Sequence, residues 1–400
     1  MAGGTARGIR HLTLPALSRA WLVPVPFAVF GFLFGVWQVL LTDLSDALHI
    51  SAGPLGVALS AGVVASLPAM VVGGRLADRW GRQALIVGAG GVMATSFVGF
   101  SLVGAYAGLV VLLVCFFAAS GVYDVGINAA AMAHEQATGR RVIPLLHAAF
   151  SGGAATGAIA AGALAAAGVS YRLMYASVAA IMAVTMGMLW AGGAGAGTNP
   201  RTARLGAGGL FRDRAILLVA GITCLGFFLE GIMETWSVIY LRASLELPVL
   251  LGASGAAVFH LAMLAGRLTT AGTVHRLGRH GTLRGAGMLA ALGMTVALAT
   301  ERPPLILAGF LTVGLALAGV APVAFSLAGD LAPDRAGQAS SVLTTLAYGG
   351  FLLGPSLIGG VAELTSLRAA LMSGIVTGLL IALLSARVDL REGVNEAGQA

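Results

Sequence analysis

Long apolar runs separated by short polar loops dominate this chain. Twelve of the runs have about the length, roughly 20 residues, that a helix needs to cross a bilayer. They lie near residues 21–44, 54–76, 84–105, 107–133, 143–168, 173–193, 215–241, 249–274, 285–300, 305–330, 338–362 and 369–386. The pattern predicts an all-α integral membrane protein with 12 transmembrane helices.

The longest polar stretch inside the chain divides the runs into two sets of six. Residues 194–214 are rich in glycine and arginine, as expected for a link between two membrane bundles. We therefore predict two pseudo-symmetric six-helix bundles. The predicted bounds are 1–193 for the first bundle, 194–214 for a cytoplasmic linker, 215–386 for the second bundle and 387–400 for a cytoplasmic tail.

A short polar string joins the second and third runs, and a weaker copy joins the eighth and ninth. The first string is residues 74–82 and the copy is residues 271–279. Position by position, Arg276, Gly278 and Arg279 correspond to Arg79, Gly81 and Arg82, and His275 replaces Asp78. A polar turn repeated at half the chain length indicates a duplicated bundle, which is a plan that membrane transporters use.

Composition supports a membrane protein and argues against an enzyme. The 400 residues are 58% hydrophobic and only 10% charged, with a mean hydropathy of +0.92, whereas soluble proteins carry roughly 25% charged residues. The loops are too short for a soluble catalytic domain, and no phosphate-binding loop is present. We expect no enzymatic activity, no resident cofactor and no metal site. The two cysteines lie in apolar runs and are interpreted as packing residues.

Arginine placement predicts the orientation of the chain. All 23 basic residues are arginine. Nineteen fall on the side of the termini, the linker and the even-to-odd loops, counting Arg75 and Arg267 as helix-end residues, and four fall on the other side. Cytoplasmic loops carry the excess of basic residues. This predicts a multi-pass protein of the bacterial inner membrane with both termini in the cytoplasm.

The first polar string resembles the signature of the major facilitator superfamily. Gly74, Asp78, Arg79, Gly81 and Arg82 match its G-x-x-x-D-R-x-G-R pattern, and Gln83 departs from the basic residue that follows. In that family the string is a conformational latch, so the resemblance implies a gating function for these residues and for Arg276, Gly278 and Arg279. The expected pairs are Asp78 with the start of the eleventh helix, Arg82 with Glu135, and Arg279 with Asp330 or Asp334.

Within the superfamily, the chain resembles the fucose-permease-like sugar:proton symporters and some related uncharacterised bacterial permeases. The resemblance rests on an Asp-x-x-x-Asn pair in the fourth run, a following glutamate, a His-x-x-x-Ser-x-Gly pattern in the fifth run and a Glu-Gly-x-x-x-x-Trp pattern in the seventh. These are Asp124 and Asn128, Glu135, His147, Ser151 and Gly153, and Glu230, Gly231 and Trp236. Thr235 departs from the acid expected before the tryptophan, and Glu234 is adjacent to it.

Acidic residues inside the apolar runs are the candidates for proton coupling. A charged side chain near the bilayer centre costs about 2.5–3.5 kcal/mol on insertion scales, so such residues usually have a function or a partner. Asp124 is the first candidate, with Asn128 on the same helix face. Glu230 and Glu234 also share a face, and one of two adjacent carboxyls should retain its proton. His147 is a further candidate relay, although a single histidine is more often a packing residue.

Candidate substrate contacts are polar or aromatic residues in the apolar runs. They are Asn128, Gln38, Trp37, Trp236 and Glu234. Tryptophan rings stack on sugars, but they are also common at membrane interfaces.

The leading hypothesis is a proton-coupled secondary transporter for a small solute, sugar-like by preference, driven by the proton gradient. Its partners would be the solute, protons and membrane lipid, without nucleic acid, and a monomer is expected. A proton-driven exporter of amphipathic drugs or metabolites would keep the fold but have a mostly apolar cavity. A membrane sensor would need a docking domain, which the sequence lacks.

Overall fold

The structure is a computed structural model that describes residues 23–140, 142–192, 210, 212–332 and 335–396, except for the side chains of residues 77, 78, 136, 336, 337 and 389–396. Its regular elements in these ranges are helices. The first six are α1 Pro24–Ala47, α2 Ala52–Trp80, α3 Arg82–Leu102, α4 Tyr106–Thr138, α5 Ile143–Ala166 and α6 Tyr171–Gly192.

The second set contains two interrupted helices and one long one. A 50-residue helix, Val249–Leu298, has one non-helical residue at Gly278, and we name residues 249–277 α8 and residues 279–298 α9. The others are α7 Arg214–Ile239 with a π-turn Tyr240–Ser244, α10 Pro303–Leu331 in segments Pro303–Leu317 and Val320–Leu331, α11 Ala336–Leu364, and α12 in segments Leu367–Leu371 and Ser373–Glu396.

The helices confirm the predicted number of crossings. Among the described residues, 11 helices are long and apolar enough to span a membrane. One of them is the 50-residue helix, which would be about 75 Å long if straight, far more than a bilayer. Because it breaks at Gly278, it supplies two crossings, and the total is 12.

The second six helices repeat the packing of the first six. In the first set α1 packs on α5, α2 on α4, and α3 on α6; in the second set α7 packs on α11, α8 on α10, and α9 on α12. Small residues allow the equivalent close contacts. A Cβ added at Gly35 on α1 would lie 2.0 Å from the Ala154 carbonyl oxygen on α5, and one added at Gly350 on α11 would lie 2.0 Å from the Cys224 carbonyl oxygen on α7. Without much hydrophobic drive between helices in lipid, such close approach holds membrane bundles together.

The two copies of the polar string share one backbone conformation. Gly81 between α2 and α3 has φ 84° and ψ 157°, and Gly278 between α8 and α9 has φ 70° and ψ 174°. Only glycine adopts this region readily. The sequence repeat therefore corresponds to a repeated turn, and we call the side of the bundle that carries both turns the motif face and the opposite side the far face.

We call α1–α6 the first half and α7–α12 the second half. The two halves contact each other mainly where α5 packs on α8 and α2 packs on α11. At the far face, the Glu363 carboxylate at the end of α11 accepts hydrogen bonds from the Ser51 hydroxyl at 3.1 Å and the Gly53 N–H at 2.9 Å, at the start of α2. These hydrogen bonds join the two halves at the far face, and we call this arrangement closed at the far face. The predicted bundle, linker and tail bounds stay predictions, and most of the linker lies outside the described residues.

Candidate functional site

Asp124 lies between the halves and is held by partners from both. Asn128, one turn along α4, donates its amide N–H to Asp124 Oδ1 at 2.9 Å. The Tyr348 hydroxyl on α11 donates to Asp124 Oδ2 at 3.1 Å. The predicted Asp124–Asn128 pair is therefore formed, and Tyr348 adds a hydrogen bond across the interface between the halves.

A second polar cluster centres on Arg267 of α8. Its Nη2 lies 3.4 Å from Glu230 Oε1 on α7, and the two side chains are 18% and 17% exposed. Its Nη1 donates to the His147 carbonyl oxygen at 3.1 Å and to the Ser151 hydroxyl on α5. One guanidinium group thus contacts an acid of the second half and a helix of the first half.

Three further polar residues surround this cluster. Glu234 is within electrostatic range of both Glu230 and Arg267. His260 on α8 is within range of Arg267, and its Nε2 lies 3.1 Å from Gln38 Oε1 on α1. The structure therefore brings Glu230, Glu234, His147 and Gln38, all candidates from sequence, into one region between the halves.

The two candidate tryptophans are buried in helix packing. Trp37 is 2% exposed and lies among Phe34, Phe116 and Phe117. Trp236 is fully buried, and within the described residues neither indole N–H has a hydrogen-bond partner. In this conformation neither ring presents a face to a solute, and their contact with substrate stays a prediction.

The structure describes only some side chains of the first polar string, residues 74–82. Arg79 is exposed and Arg82 is buried, while the Asp78 side chain lies outside the described residues. Glu135 accepts hydrogen bonds from the Val142 N–H at 2.6 Å and the Ile143 N–H at 2.9 Å, so it caps the start of α5. The Arg82–Glu135 pair stays a prediction, as does the contact of Asp78 with the start of α11.

The second string forms the ion pair that the sequence predicts. Arg279 pairs with Asp330, at the end of α10. The alternative partner, Asp334, lies outside the described residues. The gating function of Gly74, Arg276 and the other residues of the two strings stays a prediction.

Comparison with known proteins identifies the family. A family description printed as Major Facilitator Superfamily matches residues 22–355. The chain belongs to this superfamily. Its members are secondary transporters and not enzymes, so this protein is a multi-pass membrane transporter, and the expectation that it is not an enzyme is confirmed.

Relatives and solved structures agree with the family and the fold. An uncharacterised MFS-type transporter of Yersinia pestis is 30% identical over 361 residues, covering 89% of this chain and 92% of the relative. The nucleoside transporter NupG has a TM-score of 0.74 at 15% identity, covering 92% of this chain and 98% of that structure. A bacterial homologue of the human lysosomal transporter Spinster, inward-facing and occupied, has a TM-score of 0.72 at 13% identity, covering 94% and 97%. The resemblance to uncharacterised bacterial permeases is confirmed, and the one to the fucose-permease branch stays a prediction.

The prediction that Arg267 lies at a helix end is wrong. Arg267 was counted as a helix-end residue at the motif face, but it lies 11 residues before Gly278 and binds partners inside the bundle. The sequence does indicate an interior position with partners, because an arginine that far inside an apolar run is as costly as an intramembrane acid.

Two further partners were missed because they come from distant helices. Tyr348 bonds Asp124 across 224 residues of sequence. Asp43 at the end of α1 forms a two-pronged ion pair with Arg242 of the π-turn, with Nη1–Oδ2 at 2.6 Å and Nη2–Oδ1 at 2.8 Å.

Proposed function

We propose that this transporter couples proton movement to the transport of a small polar solute by alternating access. The observation that carries the proposal is the position of Asp124, an acid inside the bundle that is hydrogen-bonded to the opposite half by Tyr348. Two hydrogen bonds stabilise the charged carboxylate, and a proton that neutralises it weakens both of them. Proton binding at Asp124 therefore changes the energy of a contact that must break when the halves rock apart.

A sugar-like solute is the preferred cargo. The amides of Asn128 and Gln38, bound to Asp124 and His260 in this conformation, would become available to a solute when the halves rearrange, and the carboxyl groups of Glu230 and Glu234 can accept hydrogen bonds from hydroxyl groups. The binding would rest on hydrogen bonds more than on ring stacking, because Trp37 and Trp236 are buried in this conformation.

Export of amphipathic compounds is the second candidate. The same burial of both tryptophans favours it, together with the small number of amide side chains in the spans. A sugar-like cargo predicts stabilisation of the purified protein by neutral polyhydroxy compounds. An exporter predicts stabilisation by amphipathic compounds instead, so a thermal-shift panel that contains both classes separates the two.

The coupling step is tested with Asp124→Asn in proteoliposomes that contain the solute found by that panel. We expect the wild-type protein to accumulate the solute when an inward proton gradient is imposed. Asp124→Asn should lose the accumulation but retain exchange of labelled for unlabelled solute, which needs no net proton movement. Glu301→Gln is the control, because Glu301 is an exposed far-face acid. Normal proton-driven accumulation by Asp124→Asn would remove Asp124 from the coupling step.

A further inference from the structure

Arg267 stands in an unusual position for an arginine of a membrane protein. It lies in the interior of α8, 18% exposed, where α8 packs on α5 of the other half. An arginine near the bilayer centre costs about 2.5–3.5 kcal/mol on insertion scales and keeps its charge at any physiological pH. Its charge must therefore be balanced by groups that surround it.

The partners of Arg267 belong to different halves. Glu230 on α7 moves with α8 as part of the second half, whereas the His147 carbonyl and the Ser151 hydroxyl move with α5. The guanidinium is a rigid planar fork, so the orientation that one nitrogen adopts fixes the direction of the other. When Glu230 holds Nη2, Nη1 points at α5.

We propose that Arg267 is a positioning residue that links the charge on Glu230 to the contact between α5 and α8. The inference rests on the proposed proton coupling, but it assigns a separate step to a residue that does not itself take up the proton. With Glu230 ionised, the ion pair holds Arg267 in the orientation that binds α5. With Glu230 protonated, the pair is lost and Arg267 remains charged in a mostly apolar interface.

The loss of that pair favours leaving the observed conformation. Removing one partner of a buried ion pair is strongly destabilising, because the other charge remains without compensation. Separation of α5 from α8 would let water reach Arg267 and relieve this cost. Protonation should therefore shift the protein away from the conformation that is closed at the far face.

The neighbouring charges agree with a single coupling proton. Among the described residues, Glu234 on α7, His147 on α5 and His260 on α8 are further titratable groups within electrostatic range of this cluster. From α1 the facing group is the neutral Gln38, bound to His260, and α11 carries Tyr348, bound to Asp124. The net charge of Glu230, Glu234 and Arg267 is zero when one proton is bound to the two carboxyl groups. A second proton makes the cluster positive, which is the condition that releases Arg267.

The experiment measures the distance between α5 and α8 without any solute. Cys115→Ser and Cys224→Ala remove both native cysteines. Nitroxide labels are then attached at Ile159→Cys and Leu250→Cys, which are 50% and 52% exposed near the far-face ends of the two helices. Double electron–electron resonance on the full-length protein in nanodiscs gives the distance distribution at several values between about pH 5 and pH 8, the range in which a perturbed carboxyl can titrate.

We expect the population with the longer distance to grow as the pH falls. Glu230→Gln, which removes the carboxylate that orients Arg267, should show more of the longer distance than the wild-type protein at pH 8, where the wild-type cluster is neutral. Arg267→Gln should lose the pH response. Arg267→Lys should lose it too, because a single ammonium group can pair with Glu230 but lacks the second prong for α5. Ser151→Ala, which changes no charge, should reduce the response, and Glu301→Gln should leave it intact.

A wild-type pH response in Arg267→Gln or in Arg267→Lys would overturn the proposal. A pH-independent distance in the labelled wild-type protein would overturn it as well. If solute accumulation is nevertheless proton-driven, the proposed function stands and only this inference fails. If the distance responds to pH but accumulation does not need a proton gradient, the proposed function fails and the linkage through Arg267 stands.

Discussion

At the scale of single residues, ion pairs at the interface between the halves occur at two heights. Arg267 and Glu230, both of the second half, lie inside the bundle, whereas Asp43 and Arg242 join the two halves at the far face. The far-face pair is two-pronged with short hydrogen bonds, which is the strongest arrangement for an arginine and a carboxylate. Arg242 is 12% exposed and Asp43 is 27% exposed, so water screens the pair only in part. We interpret this pair as a contact that helps to keep the far face closed.

Breaking the far-face pair should open the protein on that side. Hydrogen bonds to charged groups contribute about 1.5–3 kcal/mol each, so Asp43→Asn or Arg242→Gln should raise the open population roughly 10-fold or more. The measurement is the rate at which an impermeant maleimide labels Ser60→Cys, a buried site that contacts the Leu352 carbonyl of the other half. The native cysteines are removed in all variants.

Two controls make this measurement specific to the pair. The double variant Asp43→Arg with Arg242→Asp restores opposite charges and should slow the labelling again. Arg368→Gln removes an arginine that binds the Leu298 carbonyl within the second half, and it should leave the rate unchanged. Equal labelling in wild type and in both single variants would show that the pair does not hold the far face closed.

At the scale of helices and turns, the sequence predicted the spans well and the contacts between them poorly. Apolar length is a local property, so the 12 crossings and the repeated turn at Gly81 and Gly278 were visible in the chain. The contact of Tyr348 with Asp124 depends on how α11 packs against α4, and no local pattern encodes it. The Arg279–Asp330 pair was predictable because the repeat and the short loop after α9 restricted the choice of partners.

The repeated turn gives a prediction about stability. Gly81→Ala and Gly278→Ala should each destabilise the protein by about 1–3 kcal/mol, because a side chain strains the backbone at these φ and ψ angles. An added Cβ meets nothing within 4 Å at either position, so the penalty comes from the backbone alone. Gly74→Ala is the matched control, because its site is equally open but lies inside α2, where alanine is favoured over glycine.

Thermal unfolding in detergent measures the three variants side by side. The two turn variants should melt at similar, lower temperatures, and Gly74→Ala should melt at or above the wild-type temperature. If Gly81→Ala were as stable as Gly74→Ala, the positive φ at the turn would carry no energetic cost.

At the scale of the whole molecule, the excess of arginines on the motif-face side remains when Arg267 is assigned to the interior of the bundle. Once Arg267 is removed from the count, 18 arginines remain on the motif-face side and four on the far-face side. Two of the four far-face arginines lie beside carboxylates: Arg242 pairs with Asp43, and Arg368 Nη1 lies 3.9 Å from Glu301 Oε1. These acids offset part of the positive charge, so the net positive charge at the far face is even smaller than the arginine count indicates.

This asymmetry predicts that the motif face and both termini lie in the cytoplasm, because basic loops are retained on that side during insertion. Fusions to alkaline phosphatase, which is active only in the periplasm, and to green fluorescent protein, which fluoresces only in the cytoplasm, test it. Fusions after residue 212 in the linker and after residue 139 in the α4–α5 loop should fluoresce. Fusions after residue 168 in the α5–α6 loop and after residue 300 in the α9–α10 loop should be active phosphatases. The reverse result would place the far face in the cytoplasm, and the conformation described here would then be closed to the cytoplasm instead of to the periplasm.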